Sequence, residues 1–429
     1  MTKDEILRKH REYLFNCVTT YYKDPLVLDH AKNQYVFDLE GRRYLDFFGG
    51  ILTISAGHAR EKITSAIKQQ IDRVQHSSTL FPTEAIVSLA ERVGQIAPGR
   101  LKKSYFTNSG TEANEVAVLT ARMHTGNSEF VVLRHGYAGH SHLAKSMTGM
   151  AVWRKAGIQA HGVVHAPSAY CYRCPFGLTY PSCELACAKD VEDVIRTSTS
   201  GEIAGMLAET IQGLGGVIVP PPEYYKIVVK IVREYGGLFI ADEVQTGFGR
   251  TGKKWFGIEH WEVEPDFITA AKGMANGTPI GCTVTRPEIA DSYKGMTIST
   301  FGGNPVSCVA AKATIDLIEE ERLLENTHTV GTHLRQGLEA LKEKHPVIGD
   351  VRGMGLMQGL ELVKDRKTKE PAPDVVNKVL ERTRANGLLI GKGGTYANVL
   401  RISPPLIVSK TDADEALKII DKSLAEAAA

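Results

Sequence analysis

The chain has no long hydrophobic run. No stretch of its 429 residues approaches the roughly 18 to 20 consecutive apolar residues that a membrane-spanning helix requires. The N-terminus does not resemble a signal peptide either, because Asp4, Glu5 and Glu12 interrupt any apolar core region. We therefore expect a cytoplasmic protein without membrane contacts.

An excess of one charge is also missing. The 51 lysines and arginines are balanced by 49 aspartates and glutamates, and the two signs are mixed along the chain. No basic block stands out, so nucleic acid is a poor candidate partner. Internal repeats and low-complexity segments are absent as well. At this length, two folded domains are expected.

The sequence does contain two apolar runs that each end in a charged side chain. Residues 237–241 lead into Asp242 and Glu243, and residues 267–271 lead into Lys272. Because burying an unpaired charge is costly, such side chains usually meet each other or a ligand. A lysine in a dry pocket has a lowered pKa and becomes a nucleophile toward aldehydes. Taken alone, Lys272 would be interpreted as a surface lysine after a strand.

Strand-like and helix-like patterns alternate between about residues 60 and 310. Residues 203–208 read as a strand, 223–235 as an amphipathic helix and 238–241 as the next strand. This succession predicts a right-handed crossover in a mainly parallel sheet, whose ligands bind at the carboxyl ends of the strands. Three charged side chains follow such ends: Glu209, Asp242 and Lys272.

A possible anion site precedes the helical pattern at 115–124. There Ser109, Gly110 and Thr111 offer hydroxyls, backbone N–H groups and the positive end of a helix dipole. The alternative is an ordinary helix cap. Because Lys272 and Asp242 are also present, we interpret this turn as a phosphate-binding site.

The run 242–250, Asp-Glu-Val-Gln-Thr-Gly-Phe-Gly-Arg, together with Ala-Lys-Gly at 271–273, resembles the signature of the class III pyridoxal-phosphate aminotransferases. The resemblance extends from roughly Tyr22 to Pro405. It implies the fold type I, aspartate-aminotransferase-like architecture. That is a large domain with a mainly parallel sheet flanked by helices (59–310), and a small α+β domain built from both termini (1–58 and 311–429).

The resemblance also implies roles around a pyridoxal 5'-phosphate cofactor. Lys272 would hold it as an internal aldimine and shuttle the proton, and Asp242 would stabilise the protonated ring nitrogen. Tyr137 would stack on one ring face, although Ala138 stands where many relatives have His or Trp. The resemblance further implies that the cofactor phosphate is bound by Ser109, Gly110 and Thr111. Val244 would pack against the second ring face, and Gln245 would hydrogen-bond the phenolic oxygen.

The segment 299–305, Ser-Thr-Phe-Gly-Gly-Asn-Pro, is similar to one that reaches across a dimer interface in this family. The resemblance implies that Thr300 completes the phosphate site of the partner subunit, and hence that the protein is a homodimer, alone or within a tetramer. A glycine turn followed by proline at the first helical position explains the same residues locally. Both interpretations can hold together.

At the substrate end, segment 398–406 resembles the one that carries an arginine for the substrate carboxylate, here Arg401. A guanidinium suits this task because its fork binds a carboxylate bidentately. The resemblance implies that Glu209 pairs with Arg401 when no carboxylate is bound. Tyr22 and Leu52 match segments that line the substrate channel, but both are as consistent with core packing. His58 receives no role.

Four of the seven cysteines, Cys171, Cys174, Cys183 and Cys187, lie in a segment that most family members lack. A similar segment occurs near alanine–glyoxylate transaminases and amino-alcohol phosphate phospho-lyases. The C-x2-C spacing allows a zinc half-site, while disulfides and free thiols remain alternatives. The other three are expected to be buried: Cys17, Cys282 and Cys308.

The sequence therefore predicts an aminotransferase of the EC 2.6.1 type. It would move an amino group from an ω-amino acid, an amine or alanine to a keto acid such as pyruvate or glyoxylate. The second candidate is a phospho-lyase that acts on a phosphorylated amino alcohol, and Arg401 favours the transaminase. The third and weakest candidate is a non-enzymatic effector-binding module. Such proteins usually carry an additional DNA-binding domain, and no length remains for one.

Overall fold

A computed structural model of the protein describes residues 1–155 and 160–428. Its strands form one seven-stranded sheet and two four-stranded sheets. Among the described helices, none combines the length and apolar character needed to cross a membrane.

The strands are β1 (Leu28–Lys32), β2 (Tyr35–Asp38), β3 (Arg43–Asp46), β4 (Lys103–Thr107), β5 (Phe130–Leu133), β6 (Val163–Ala166), β7 (Gly205–Glu209), β8 (Leu238–Asp242), β9 (Phe267–Ala270), β10 (Gly281–Thr285), β11 (Ile348–Met354), β12 (Met357–Leu362), β13 (Leu388–Leu389), β14 (Gly391–Gly393) and β15 (Val399–Ile402). The helices are α1 (Lys3–Tyr13), α2 (Gly49–Leu52), α3 (Glu61–Arg73), α4 (Glu84–Ile96), α5 (Gly110–Thr125), α6 (His142–Met147), α7 (Ala186–Ser198), α8 (Tyr224–Glu234), α9 (Pro287–Ala290), α10 (Pro305–Glu320), α11 (Leu323–Lys344), α12 (Pro373–Ala385) and α13 (Lys410–Ala428).

The large sheet has the order β4-β10-β9-β8-β7-β5-β6. Strands β9, β8, β7, β5 and β6 run parallel, and β10 is antiparallel to both of its neighbours. Every residue of β7, β8 and β9 is buried, which explains why these strands read as continuous apolar runs. The unit β7-α8-β8 is the predicted crossover. The large, mainly parallel sheet with flanking helices is thus confirmed.

The chain termini meet in a smaller sheet. Strands β2 and β3 form the hairpin that the turn at Glu40 and Gly41 indicates, and β13 from the far end of the sequence pairs in parallel with β3. The second small sheet has the order β11-β12-β15-β14. The domain limits (59–310 against 1–58 with 311–429) stay a prediction, and α10 runs continuously across residue 310.

Three cysteines lie outside the clustered segment. Cys282 and Cys308 are buried, as expected for small apolar side chains. Cys17 is exposed, so the expectation of burial was wrong there. It follows α1 in a stretch of turns with exposed apolar neighbours, where no packed layer covers it.

Candidate active site

A cavity of about 220 Å³ opens at the carboxyl ends of the central parallel strands. It joins the phosphate turn, the ring-stacking tyrosine and the three charged side chains expected from the sequence. Its lining comprises Ser109, Gly110, Thr111, Asn114, Tyr137, Ala138, Gly139, His140, Glu209, Asp242, Val244, Gln245, Ala271 and Lys272.

Lys272 lies two residues after the end of β9 and adopts a left-handed backbone conformation, with φ of 41°. For a residue with a side chain this conformation costs on the order of 1–3 kcal/mol and persists only where the surroundings impose it. Burial lowers the pKa of Lys272, while the carboxylates of Asp242 and Glu209 act in the opposite direction. The amine is thereby made easier to deprotonate, as a nucleophile toward an aldehyde must be.

Asp242 is anchored by a hydrogen bond to each of its carboxylate oxygens. Asn114 Nδ2 donates to its Oδ2 at 2.9 Å, and the Val244 amide donates to its Oδ1 at 3.0 Å. Asn114 itself is fixed, because it also donates to the Ala138 carbonyl and accepts from the Thr269 hydroxyl. Burial raises the pKa of Asp242, and these hydrogen bonds oppose the rise by favouring the charged form.

Glu209 lies beside Asp242, because the two are register partners at the ends of β7 and β8. Its Oε1 accepts from the Tyr137 amide at 2.8 Å, and its Oε2 accepts from the Gly213 amide at 3.0 Å. Burial, then the neighbouring charge of Asp242, raises the pKa of Glu209 to about 8. Near neutral pH this carboxyl therefore holds a proton readily.

Gln245 connects Glu209 with Arg401. Arg401 Nη2 donates to Gln245 Oε1 at 2.6 Å, and Gln245 Nε2 donates to Glu209 Oε2 at 3.3 Å. Among the described residues, Glu209 and Arg401 do not form a direct ion pair, because the side-chain amide of Gln245 lies between them. Arg401 is only 2% exposed, and its Nε has no hydrogen-bond partner. Burial lowers the pKa of Arg401, so a carboxylate ligand would be strongly favoured there.

At the phosphate turn, both hydroxyls are engaged within the protein. Ser109 Oγ caps α5 by accepting from the Glu112 amide at 3.4 Å, as the ordinary-cap interpretation states. Thr111 Oγ1 accepts from the amides of His140 and Ser141 at 3.0 and 3.1 Å. The amides of Gly110 and Thr111, in the first turn of α5, have no intrahelical acceptor. In this geometry the anion site consists mainly of backbone amides.

Two glycines keep this end of the cavity open. A Cβ at Gly110 would lie 2.9 Å from Val244 Cγ2, and a Cβ at Gly139 would lie 2.3 Å from Thr111 Oγ1. The cavity thus combines an anion site made of backbone amides, a hydrogen-bonded carboxylate and a nucleophilic amine. These residues fit a phosphorylated pyridine aldehyde, and Tyr137 and Val244, the residues expected to pack on its ring, are also part of the lining.

Four predicted residues are not part of this lining. Arg401 is connected to it through Gln245, and the other three lie elsewhere. Thr300 is exposed, next to Ser299, whose hydroxyl accepts from Asn108 Nδ2 at 3.4 Å and so joins this segment to the phosphate turn. Leu52 is a core residue at 2% exposure, as the packing alternative states. Tyr22 is half-buried against the core, with the Arg384 guanidinium 5.2 Å from its ring centre. Channel lining by Tyr22 and Leu52 is therefore not supported by their positions.

Two supporting residues could not be identified from the sequence. Asn276 accepts from the Ala56 amide and donates to the Gly57 carbonyl, both at 2.8 Å, which fastens the turn after Lys272 to the N-terminal segment. His58, left without a role, contacts Asp46 Oδ2 at 2.9 Å.

Comparisons with known proteins agree with this geometry. Residues 19–424 match the model of the class-III aminotransferase family. The chain is 44% identical over 424 residues to alanine–glyoxylate aminotransferase 2 homolog 2, mitochondrial, of Arabidopsis thaliana, covering 99% of this chain and 88% of that protein.

Two solved structures are also similar. A thermostable (S)-enantioselective ω-transaminase from Thermomicrobium roseum superposes with a TM-score of 0.93 at 33% identity, covering 100% of this chain and 99% of that one. A phospholyase from Arthrobacter in complex with phosphoethanolamine gives a TM-score of 0.91 at 31% identity, covering 98% and 99%.

Proposed function

The chain belongs to the class III aminotransferases, and we propose that it moves an amino group from an ω-amino acid, an amine or alanine to a keto acid such as pyruvate or glyoxylate. Enzymes of this family depend on pyridoxal 5'-phosphate, which supplies an aldehyde for the amine and a ring that accepts electrons. The observation that carries the choice of substrate is Arg401, a buried guanidinium whose Nε lacks a partner.

The cofactor contacts are proposed from the cavity lining. The amides of Gly110 and Thr111 would bind the phosphate at the N-terminus of α5, with the hydroxyls of Ser109 and Thr111 shaping the turn. Asp242 would hold the proton on the ring nitrogen, because Asn114 and the Val244 amide keep its carboxylate charged.

Lys272 is proposed as the residue that binds the aldehyde and then moves the proton. Its lowered pKa leaves the amine able to accept a proton from the substrate carbon and to return it at the aldehyde carbon. Tyr137 and Val244 would pack on the two faces of the cofactor ring and so hold the ring in one plane.

Substrate selection is proposed to centre on the Gln245 bridge. A carboxylate arriving at Arg401 would take the free Nε and displace the Gln245 amide from Nη2, which gives the bidentate geometry that an arginine prefers. An amine without a carboxylate leaves the bridge in place. One cavity can then accept both kinds of partner in turn.

The assembly is proposed to be a homodimer in which Thr300 contributes to the partner's phosphate site. In support, Thr300 is exposed and stands among exposed apolar side chains, with Met296 at 100%, Ile298 at 53% and Phe301 at 59%. Such a patch is expected at an interface. The cytosol is our proposed location, whereas the Arabidopsis relative is named mitochondrial.

A phospho-lyase is the second candidate, and the similarity to the Arthrobacter phospholyase is the observation that favours it. Cofactor-loaded protein should be incubated with a panel of donors, including alanine, ω-amino acids, amines and phosphoethanolamine. Each donor is tested with pyruvate, with glyoxylate and without a keto acid, while amino acid product, phosphate and ammonia are measured. A transaminase forms alanine or glycine only when a keto acid is present. Release of phosphate and ammonia without a keto acid, and no amino transfer, would replace our proposal with the lyase.

A further inference from the structure

The segment between β6 and α7, together with the first turn of α7, gathers four thiols around one small cavity. Residues 167–185 connect the two elements with only a short 3₁₀ turn, Cys171–Arg173, and a series of turns. Ordered connections longer than about 12–15 residues without regular structure are uncommon in compact domains and are usually functional. The connection contributes three thiols to the cavity, Cys171, Cys174 and Cys183, and α7 contributes Cys187.

The size of this cavity suits a single atom. It measures about 20 Å³, and a buried water needs roughly 10–15 Å³ together with two to four polar partners. Apolar side chains such as Phe176, Leu178 and Leu185 form much of the wall. The side-chain hydroxyls that border it are used elsewhere, since Tyr170 donates to Glu361 and Tyr180 to Glu223. The thiols are therefore the side-chain polar groups that remain for an occupant.

The thiols come in two pairs with the spacing of metal half-sites. Cys171 begins a single 3₁₀ turn and Cys174 follows its end, so a C-x2-C pair can present both sulfurs to the same side. Cys183 lies three residues before α7, and Cys187 is the second residue of that helix. All four are free thiols. Soft sulfur ligands in a tetrahedral set select zinc among the common divalent ions.

We propose that these four cysteines bind one zinc ion as a structural tetrathiolate site. In forming it, four S–H bonds break, four zinc–sulfur bonds form and four protons leave to the solvent. As they stand, no group of three or more metal-ligating side chains among the described residues is arranged to hold a metal ion. Such a site closes on binding, because neutral thiols have no reason to converge and thiolates repel one another.

The site would brace a contact next to the substrate arginine. Tyr170 and Arg173, on either side of Cys171, both donate to Glu361 on β12. Strand β12 pairs with β15, in which Arg401 lies opposite Gly359. Zinc at the four cysteines would thus hold the connection against the strand pair that carries Arg401.

The first experiment measures metal content. The full chain, loaded with cofactor and purified without a metal-binding tag, is analysed by inductively coupled plasma mass spectrometry. We expect about one zinc per chain in the wild type and in the control Cys17→Ser, which removes a thiol outside the cluster. Cys174→Ser should lose most of the zinc, and Cys174→His should retain it, because imidazole is also a zinc ligand. Retention of zinc by the His variant also shows that the segment still folds.

The second experiment identifies the ligands. Reduced, metal-free protein is titrated with Co²⁺, and a tetrathiolate site should give sulfur-to-cobalt charge-transfer bands and the intense visible bands of tetrahedral cobalt. Cys174→His should shift these bands. The proposal is overturned if reduced wild-type protein binds neither Zn²⁺ nor Co²⁺ at these thiols, if iron is found in place of zinc, or if peptide mapping of freshly lysed cells shows disulfides among the four cysteines.

Discussion

At the level of single residues, the sequence identifies the charged groups of the cavity but not their partners. Asp242, Lys272 and Glu209 could be predicted because each follows an apolar strand, and the carboxyl ends of parallel strands meet at one edge of a sheet. The anchoring of Asp242 by Asn114 and the position of Gln245 between Glu209 and Arg401 could not. Which polar side chains touch depends on how separate segments approach one another, and no local pattern records this.

Lys272 is expected to carry the cofactor. Protein purified with pyridoxal phosphate should be yellow, and borohydride should link the cofactor covalently to the peptide that contains Lys272. Lys272→Ala should lose both the covalent link and turnover, because no other amine is part of the cavity lining. The exposed Lys254→Ala serves as the control and should behave as wild type. Retained turnover and a reducible link in Lys272→Ala would contradict the assignment.

Arg401→Ala should separate substrates by their carboxylates. Losing hydrogen bonds to a charged group costs about 1.5–3 kcal/mol, so KM for alanine and pyruvate should rise roughly tenfold to a hundredfold. The first half-reaction with an amine that has no carboxylate should be nearly unchanged, because such a donor makes no contact with the guanidinium. Single-turnover spectroscopy of each half-reaction checks this. Equal losses with both kinds of donor would indicate that Arg401 only supports the structure.

Glu209 should make the stability of the cofactor-free protein depend on pH. Its folded pKa of about 8 lies above the ordinary value of 4.5, so the folded state binds more protons than the unfolded state between these values. Stability due to this group is therefore greatest below about pH 4.5 and is lost as the pH rises toward 8. Glu209→Gln should flatten this part of the unfolding profile, measured by urea denaturation from acid to mildly basic pH. The exposed Glu91→Gln should leave the slope unchanged.

At the level of elements, the sequence predicts whether a segment is a strand or a helix where the hydrophobic periodicity is strong. It does not predict where each element begins and ends. Helix α8 spans Tyr224–Glu234, within a residue of the predicted limits at each end, because its apolar residues recur on one face. Helix α5 instead begins at Gly110, five residues earlier than the pattern at 115–124 indicates. The Ser109 cap starts the helix inside the turn, which places the amides of Gly110 and Thr111 toward the cavity.

The close contact between α5 and the segment after β8 is testable at Gly110. In Gly110→Ala the new Cβ would lie 2.9 Å from Val244 Cγ2, so the Val244 side chain, which is part of the cavity lining, must shift. We expect weaker cofactor retention during dialysis, with the unfolding temperature of the cofactor-free protein unchanged or raised, since alanine favours a helix. The double variant Gly110→Ala with Val244→Ala removes the clash. The loss of cofactor-binding free energy in the double variant should be smaller than the sum of the losses in the two single variants, as an equilibrium titration would show.

At the level of the whole molecule, the resemblance implied that both termini build one unit, and strand pairing between β3 and β13 brings them together. Composition and periodicity alone could not predict this, because the paired residues are separated by most of the chain. The proposed homodimer belongs to the same scale. Thr300 is exposed among exposed apolar side chains, an arrangement that is explained if a second copy covers the patch.

Subunit mixing tests whether Thr300 acts across an interface. Lys272→Ala and Thr300→Ala are each expected to be impaired, the first in chemistry and the second in phosphate binding at limiting cofactor. If Thr300 serves the partner's site, a mixed dimer contains one site with both Lys272 and Thr300 intact. Activity should then rise above that of either variant once subunits exchange, and sedimentation should show dimers throughout. If Thr300 served its own chain, no site of the mixed dimer would be intact. Activity that stays at the mean of the two variants after proven exchange, or a fully active monomer, would therefore contradict the shared site.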